Sequence, residues 1–169
     1  MNFDSKNRRW HSRIAVIVAI PFLFIIVTGV LLQVKKQWAW VQPKELTGTS
    51  NTPMVGLDVM LAELKANPEL RVTGWSDIAR CEIRPSTGIV KFKLTEDREA
   101  QLDLGTGRIL QVAVRRSDFL ESIHDGSFFA GNWTKLGLFL PVGVLVFLLW
   151  ASGIRLLLLP WIMRRRRAR

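Results

Sequence analysis

The longest uncharged stretch of the sequence is IAVIVAIPFLFIIVTGVLLQV, at residues 14–34. As a helix it would span roughly 31 Å, which matches the hydrocarbon thickness of a bilayer. A second uncharged stretch, LGLFLPVGVLVFLLWASGI, occupies residues 136–154. The two stretches predict two transmembrane helices that flank residues 35–135, with residues 1–13 and 155–169 outside them.

A cleaved signal peptide is the competing interpretation of residues 14–34, because the stretch is N-terminal and follows basic residues. Its apolar run is too long for a signal peptide, and residues 35–38, KKQW, offer no small-residue cleavage site. An uncleaved anchor is therefore favoured. Arg155 follows the second stretch directly, so its side chain is expected to snorkel to the headgroups.

The excess positive charge lies at the two ends of the chain. The balance is +3 over residues 1–13, +1 over residues 35–135 and +6 over residues 155–169, which accounts for the +10 of the whole chain. A nucleic-acid binder needs its basic residues on one folded face, so the nearly neutral middle argues against that partner. By the positive-inside rule, both termini are expected in the cytoplasm and residues 35–135 in the periplasm, across a bacterial inner membrane.

Tryptophan and arginine residues flank both predicted spans, where they anchor helices at the headgroups or contact anionic lipids. The predicted anchors are Arg8, Arg9, Trp10, Trp38, Trp133, Arg155, Trp161, Arg164, Arg165, Arg166 and Arg167. Small residues allow helices to approach closely in lipid, and the predicted helix-packing positions are Thr28, Gly29, Ser152 and Gly153. These four suit contact with another chain as well as contact between the chain's own two spans.

The middle segment shows an α+β pattern. Apolar residues at helical spacing predict one helix, at Leu57, Met60, Leu61 and Leu64. Four alternating segments separated by turn signals follow, around residues 80–84, 90–94, 100–104 and 110–114. The predicted fold class is a membrane α-helical hairpin plus an α+β extramembrane domain, in which the helix packs on a four-stranded antiparallel sheet with one polar face.

Side chains of this sheet have predicted environments. On the last strand, Leu110, Val112 and Val114 are expected to face the helix, and Cys81 to be a buried small hydrophobe. The acidic residues near the second hairpin are interpreted as a solvated tip; they are Glu96, Asp97, Glu99 and Asp103.

Little catalytic chemistry is visible. A single cysteine excludes an intramolecular disulfide, and the two histidines, His11 and His124, are not in a zinc-ligand pattern. The sequence contains no Ser/His/Asp arrangement and no Gly-rich phosphate loop. The chain alone is therefore not expected to be an enzyme.

Four short motifs, in this order, resemble the PepSY-associated transmembrane family. The first is Trp10-His11 just before the first span, followed near the outer end of that span by Val27-Thr28-Gly29-Val30-Leu31-Leu32. The segment from Leu102 to Leu110 resembles the PepSY signature, in which an aspartate precedes a Thr-Gly turn. Ile123-His124-Asp125-Gly126 is similar to the family's Leu-His-x-Gly element, and Ala151-Ser152-Gly153-Ile154 to its closing Ser-Gly element.

The resemblance implies a link to haem. Larger members of the family are regarded as haem-carrying inner-membrane reductases, some linked to ferric siderophore reduction, which makes His11 and His124 the candidate haem ligands. This sequence has two spans, fewer than the larger members. The two histidines lie about a bilayer thickness apart, roughly 30 Å, so they do not hold one iron together. Haem b would therefore need a second copy or another subunit.

Three functions are compatible with these features. The first is an accessory subunit that packs on, assembles or regulates a membrane redox complex containing haem or iron. The second is a haem b-binding electron-transfer or ferric-reductase component that acts as a homodimer or with a partner. The third is a periplasmic peptidase-regulating module. In the absence of a ligand role, His11 is interpreted as an interfacial residue of a basic anchor and His124 as a helix C-terminal cap near Gly126.

Overall fold

Two long apolar helices come from the two ends of the chain. In the computed structural model, which describes residues 3–95 and 97–167, helix α1 is Phe3–Gln33 and helix α6 is Leu140–Arg167. Before α6 come helix α3, Arg116–His124, and two short helices, α4 Ser127–Ala130 and α5 Asn132–Thr134. A π-helical turn, Lys135–Phe139, leads into α6, and helical backbone continues past Arg155. Both predicted spans fall on these helices. In the described part of the chain, these two are long and apolar enough to cross a membrane.

The apolar surface of both helices is largely uncovered. Only 11% of the apolar window in the first helix and 6% of that in the second are buried within the protein. A core helix of a water-soluble domain would bury most of such a surface, and a patch of this size needs lipid or another protein to cover it. The predicted hairpin of two membrane helices is therefore consistent with how these helices are exposed.

The chain divides into two compact units. One comprises Leu31–Leu120; the other comprises the two chain ends, up to Val30 and from Glu121 onward. The first unit contains helix α2, Leu57–Ala66, and short 3₁₀ turns at Pro68–Leu70 and Trp75–Asp77. Its four strands are β1 Ile78–Arg84, β2 Ile89–Leu94, β3 Arg98–Asp103 and β4 Ile109–Val114.

The strands form an antiparallel meander in the order β1-β2-β3-β4. One face packs on α2, whose buried residues are Met60, Leu61 and Leu64. Opposite them, the strands contribute Val90, Phe92, Ala100 and Leu102, each fully buried. The predicted helix, the four strands and the fold class are confirmed. Cys81 is half-buried against this core, and burial raises the pKa of its thiol.

The predicted facing of β4 is wrong in part. Ile109 and Val112 pack on the core, whereas Leu110 and Val114 are exposed. For Leu110 the cause is a register irregularity between β3 and β4: Gln101 pairs with Gln111, but the next pair is Leu102 with Ile109. An extra residue on one strand shifts the alternation, so Ile109 takes the inward position in place of Leu110. Val114 pairs with Arg98 in regular register, so the irregularity does not account for its exposure.

The polar face of the sheet is also covered, which the sequence analysis missed. The Gln101 side chain accepts a hydrogen bond from Leu46 N (2.9 Å) and donates one to Lys44 O (3.0 Å), and it is fully buried. Lys91 Nζ donates to Glu45 Oε1 at 3.0 Å. The connector before α2 therefore lies across this face and is held there by strand side chains.

The interpretation of the acidic residues as a solvated tip is wrong for two of them. Glu99 is 1% exposed and Asp103 is 2% exposed. Arg115 Nη1 donates to Glu99 Oε2 at 2.6 Å, so the charge of Glu99 is paired inside the protein. Asp97 is exposed as predicted, and Glu96 lies outside the described residues.

Asp103 organises the turn between β3 and β4. Its carboxylate accepts hydrogen bonds from Gly105 N (2.7 Å), Thr106 N (3.3 Å), Thr49 N (3.2 Å) and Thr49 Oγ1 (2.9 Å). Burial opposes ionisation of Asp103, but these donors outweigh it and lower its pKa. One side chain thus closes the turn and ties the connector to it.

Replacing Asp103 by Asn tests this role. The amide nitrogen would face N–H donors, so buried hydrogen bonds are lost, and we expect the local free energy of opening to fall by about 1–3 kcal/mol. Hydrogen exchange of the Gly105 and Thr106 amides measures it. Asp97→Asn is the control, because Asp97 is exposed and its φ of 53° suits Asn. Equal loss of protection in both variants would contradict the role.

Candidate functional site

His124 ends helix α3, Arg116–His124, and faces the first long helix. Its Nδ1 lies 3.0 Å from Thr28 Oγ1, and the two groups are hydrogen-bonded. Gly29 lies under the imidazole: a methyl group there would approach His124 Cε1 to 3.3 Å. The glycine therefore gives the ring the room to reach the hydroxyl.

His11 has a matching environment at the other end of the helix pair. It lies on α1, and its Nδ1 is 2.7 Å from Ser152 Oγ on α6. Gly153 is the neighbouring residue, and a methyl group there would meet His11 Cε1 at 3.5 Å, an ordinary contact distance. Each histidine is thus hydrogen-bonded to a hydroxyl, and each hydroxyl is followed in the chain by a glycine.

The two imidazoles are far apart. His124 is next to Thr28, which follows His11 by 17 residues in the same helix. At the rise of an α-helix this corresponds to about 25 Å. The structure therefore places one histidine at each of two levels of this unit, and the two rings do not converge on one site.

Aromatic rings pack beneath the loop that carries His124. Gly126 has a φ of 80°, and a methyl group there would lie 2.2 Å from Phe139 Cδ2. Phe129 stacks on Phe139 and meets Phe24 edge-on, with ring centroids 6.0 Å apart in both pairs. The absence of a side chain at Gly126 lets Phe139 close against the loop.

An ion pair closes the same loop. Lys135 Nζ donates to Asp125 Oδ2 at 2.6 Å, and Ser127 N donates to Asp125 Oδ1 at 2.9 Å. Burial disfavours the charged carboxylate, but these donors outweigh it and lower the pKa of Asp125 from its ordinary 3.8 to about 2. Asp125 therefore stays ionised at any physiological pH.

Comparison with known proteins identifies the family. The family described as the PepSY-associated TM region matches residues 2–164, nearly the whole chain. The chain belongs to the PepSY-associated transmembrane family. Together with the two apolar helices, the family makes this a membrane protein. No curated protein and no solved structure is significantly similar to it.

The helix motifs of this PepSY-associated protein meet in pairs. The Thr-Gly element near the outer end of α1 contacts the histidine of the Ile123–Gly126 element, and Trp10-His11 contacts the Ser-Gly element of α6. The sequence analysis missed this pairing. The signal was present: in an antiparallel hairpin, a histidine at each end of the pair faces a hydroxyl-glycine dipeptide of the other span.

The predicted anchoring residues lie on the surface where they are described. Trp10, Trp38, Trp133 and Trp161 are between 48% and 79% exposed, and Arg155 is exposed. Arg8 and Arg9 line an open cleft at the start of α1, together with Ser5, Ser12, Arg13, Leu159 and Met163. The side chains of Arg164, Arg165, Arg166 and Arg167 lie outside the described part of the structure.

The two glycines under the histidines give a matched pair of variants. Both alanine substitutions gain helix propensity, but Gly29→Ala also pushes a methyl group to 3.3 Å from an imidazole that its hydroxyl partner holds in place, so we expect its melting temperature to lie below that of Gly153→Ala. Overpacking of this kind costs about 1–3 kcal/mol. Gly153→Ala makes an ordinary contact and improves helix propensity, so its melting temperature should stay level or rise. Circular dichroism in detergent micelles distinguishes them, and equal effects would rule out the packing argument.

The loop ion pair predicts a shifted titration. In Lys135→Met, the pKa of Asp125 should rise from about 2 toward 3.8, and Lys135→Arg should keep it low. Because the folded-state pKa is depressed, the stability from this pair is present above pH 3.8 and is lost as the pH falls toward 2. An NMR titration of the Asp125 carboxyl measures the pKa. An unchanged value in Lys135→Met would show that Ser127 alone sets it.

Proposed function

We propose that this chain is an inner-membrane PepSY-type accessory subunit that packs on, assembles or regulates a membrane redox complex containing haem or iron. The observation that carries the proposal is the single imidazole at each of two levels about 25 Å apart. The chain has two histidines in all, so any site that needs two imidazoles at one level is completed by another chain.

The helix surfaces support a role next to other membrane subunits. Most of the apolar surface of both long helices faces outward, which leaves room for partner helices as well as lipid. Arg8, Arg9 and Arg13 at the start of α1 supply positive charge for anionic headgroups. Following the positive-inside rule, we place both termini in the cytoplasm and the sheet-containing unit in the periplasm.

The second candidate function is that of a haem b-binding component, and the hydrogen bonds at the imidazoles favour it. Nδ1 of each ring is engaged by a hydroxyl, an arrangement that leaves Nε2 as the ligating nitrogen. Each histidine would therefore supply one imidazole nitrogen to the group. His11 and His124 would hold the group with a second copy or a partner, and bound haem would supply one-electron transfer. The hydroxyls would orient the rings.

A third candidate, a periplasmic peptidase-regulating module, predicts a different partner. A chain with this function would co-purify with a periplasmic protease in place of membrane subunits, and the preparation would contain no chromophore. Purification from the native membrane therefore separates all three candidates in one preparation.

The test is mild-detergent purification followed by identification of the co-purifying proteins and a dithionite-reduced minus oxidised spectrum. The variants are His11→Asn and His124→Asn, which keep an N–H donor for the hydroxyl and remove Nε2. For an accessory subunit, we expect membrane redox proteins to co-purify and any b-type signal to survive both variants. Asn51→Ala, an exposed position, is the control.

Three other outcomes would each count against the accessory role. A b-type signal that is lost in either histidine variant, with co-purification unchanged, would replace the accessory role with the haem-ligand role. A chain that brings down a soluble protease and no chromophore would support the third candidate. A chain that purifies without any partner would overturn the accessory proposal.

A further inference from the structure

The hydroxyl of Thr28 has one proton, and its location decides the state of His124. Thr28 Oγ1 lies 2.5 Å from Phe24 O, the carbonyl one turn earlier in α1. Two oxygens this close, one of them a carbonyl, require the hydroxyl proton between them. Thr28 is 4% exposed, and its proton is committed to the helix backbone. Toward His124 the hydroxyl is therefore an acceptor.

The imidazole must then be the donor. Thr28 Oγ1 and His124 Nδ1 are 3.0 Å apart, so Nδ1 carries a proton that it donates to the hydroxyl oxygen. A neutral ring protonated at Nε2 instead would turn the Nδ1 lone pair toward the oxygen lone pairs at that distance. The arrangement is incompatible with that tautomer.

We propose that Thr28 is a positioning residue that holds neutral His124 in the tautomer with the proton on Nδ1 and the lone pair on Nε2. The proposal deepens the haem-ligand candidate above, because an imidazole ligates iron or another metal through a bare nitrogen. It stands whether or not a metal is bound, since it concerns the hydrogen bonds of the chain itself.

Ser152 and His11 repeat the arrangement on the other helix. Ser152 Oγ donates to Leu149 O at 3.0 Å and lies 2.7 Å from His11 Nδ1. The bond to the backbone is longer here and the bond to the imidazole is shorter. These distances do not commit the Ser152 proton to the backbone, so the proposal concerns His124 alone.

Nitrogen NMR of the full chain in lipid nanodiscs, with ¹⁵N-labelled histidine and no histidine tag, tests the proposal. The chain has only two histidines, so His11→Asn and His124→Asn assign the signals. In a neutral imidazole the ¹⁵N signal of the protonated ring nitrogen is well separated from that of the bare one. We expect His124 to show a single form, protonated at Nδ1. A predominant Nε2-protonated form would overturn the proposal.

Two substitutions separate positioning from a merely structural role. Thr28→Val keeps the shape and removes the acceptor, so the single-form signal of His124 should be lost to a mixture containing the Nε2-protonated form. Thr28→Ser restores the acceptor and should restore the single form. The His11 signal is the internal control, because its partner Ser152 is untouched, and its constancy shows that the fold persists. An unchanged His124 signal in Thr28→Val would refute the role of the hydroxyl.

This experiment is independent of haem. A His124 signal that behaves as expected in a chain that never co-purifies with haem would refute the haem-ligand candidate and leave the tautomer assignment intact. Loss of haem in His124→Asn, together with an Nε2-protonated His124 in the unsubstituted chain, would support the haem-ligand candidate and refute the tautomer assignment. The two failures are therefore distinguishable.

Discussion

The hydrogen bond between an imidazole and the hydroxyl of a long apolar helix is the constraint on which the unit containing α1 and α6 depends. Helices in lipid gain little from apolar contact with each other, because lipid tails are as apolar as leucine, so small residues and polar contacts fix their pairing. Here the glycine beside each hydroxyl admits the ring, and the ring then reaches the hydroxyl. The His11–Ser152 contact ties α1 to α6 near one end of α1, and the Thr28–His124 contact ties the other end of α1 to the end of α3.

The sheet-containing unit is organised by a different kind of polar contact. Asp103, Glu99 and Gln101 lie on the face away from α2, and each is buried by a partner from the connector or from the start of α3. Breaking a buried pair by removing one partner leaves an uncompensated charge, which is strongly destabilising. These buried side chains therefore stabilise the sheet-containing unit. The aspartate of the Thr-Gly turn, which the family resemblance singles out, is explained by its four hydrogen bonds and requires no ligand.

Much of the fold was accessible from the sequence, and its failures have physical causes. The two spans, the helix at Leu57–Ala66 and the four strands follow from hydrophobic periodicity, which reports burial directly. Periodicity does not report a bulge, so Ile109 takes the inward-facing position that the alternation predicts for Leu110. The sequence also predicts a solvated Glu99, because it does not distinguish a carboxylate that faces water from one that pairs with Arg115. The His–hydroxyl pairs were missed because they depend on how two distant segments align.

The dependence within the Thr28–His124 pair runs in one direction. A hydroxyl in an apolar helix returns its proton to its own backbone, as Thr28 does to Phe24 O, and it remains satisfied when its neighbour is removed. Nothing in the imidazole itself selects which of its nitrogens carries the proton, so without the hydroxyl the preference of His124 for one tautomer is lost. Thr28 therefore dictates the state of His124, and His124 does not dictate that of Thr28. A site built this way has its donor nitrogen selected before any partner or cofactor arrives.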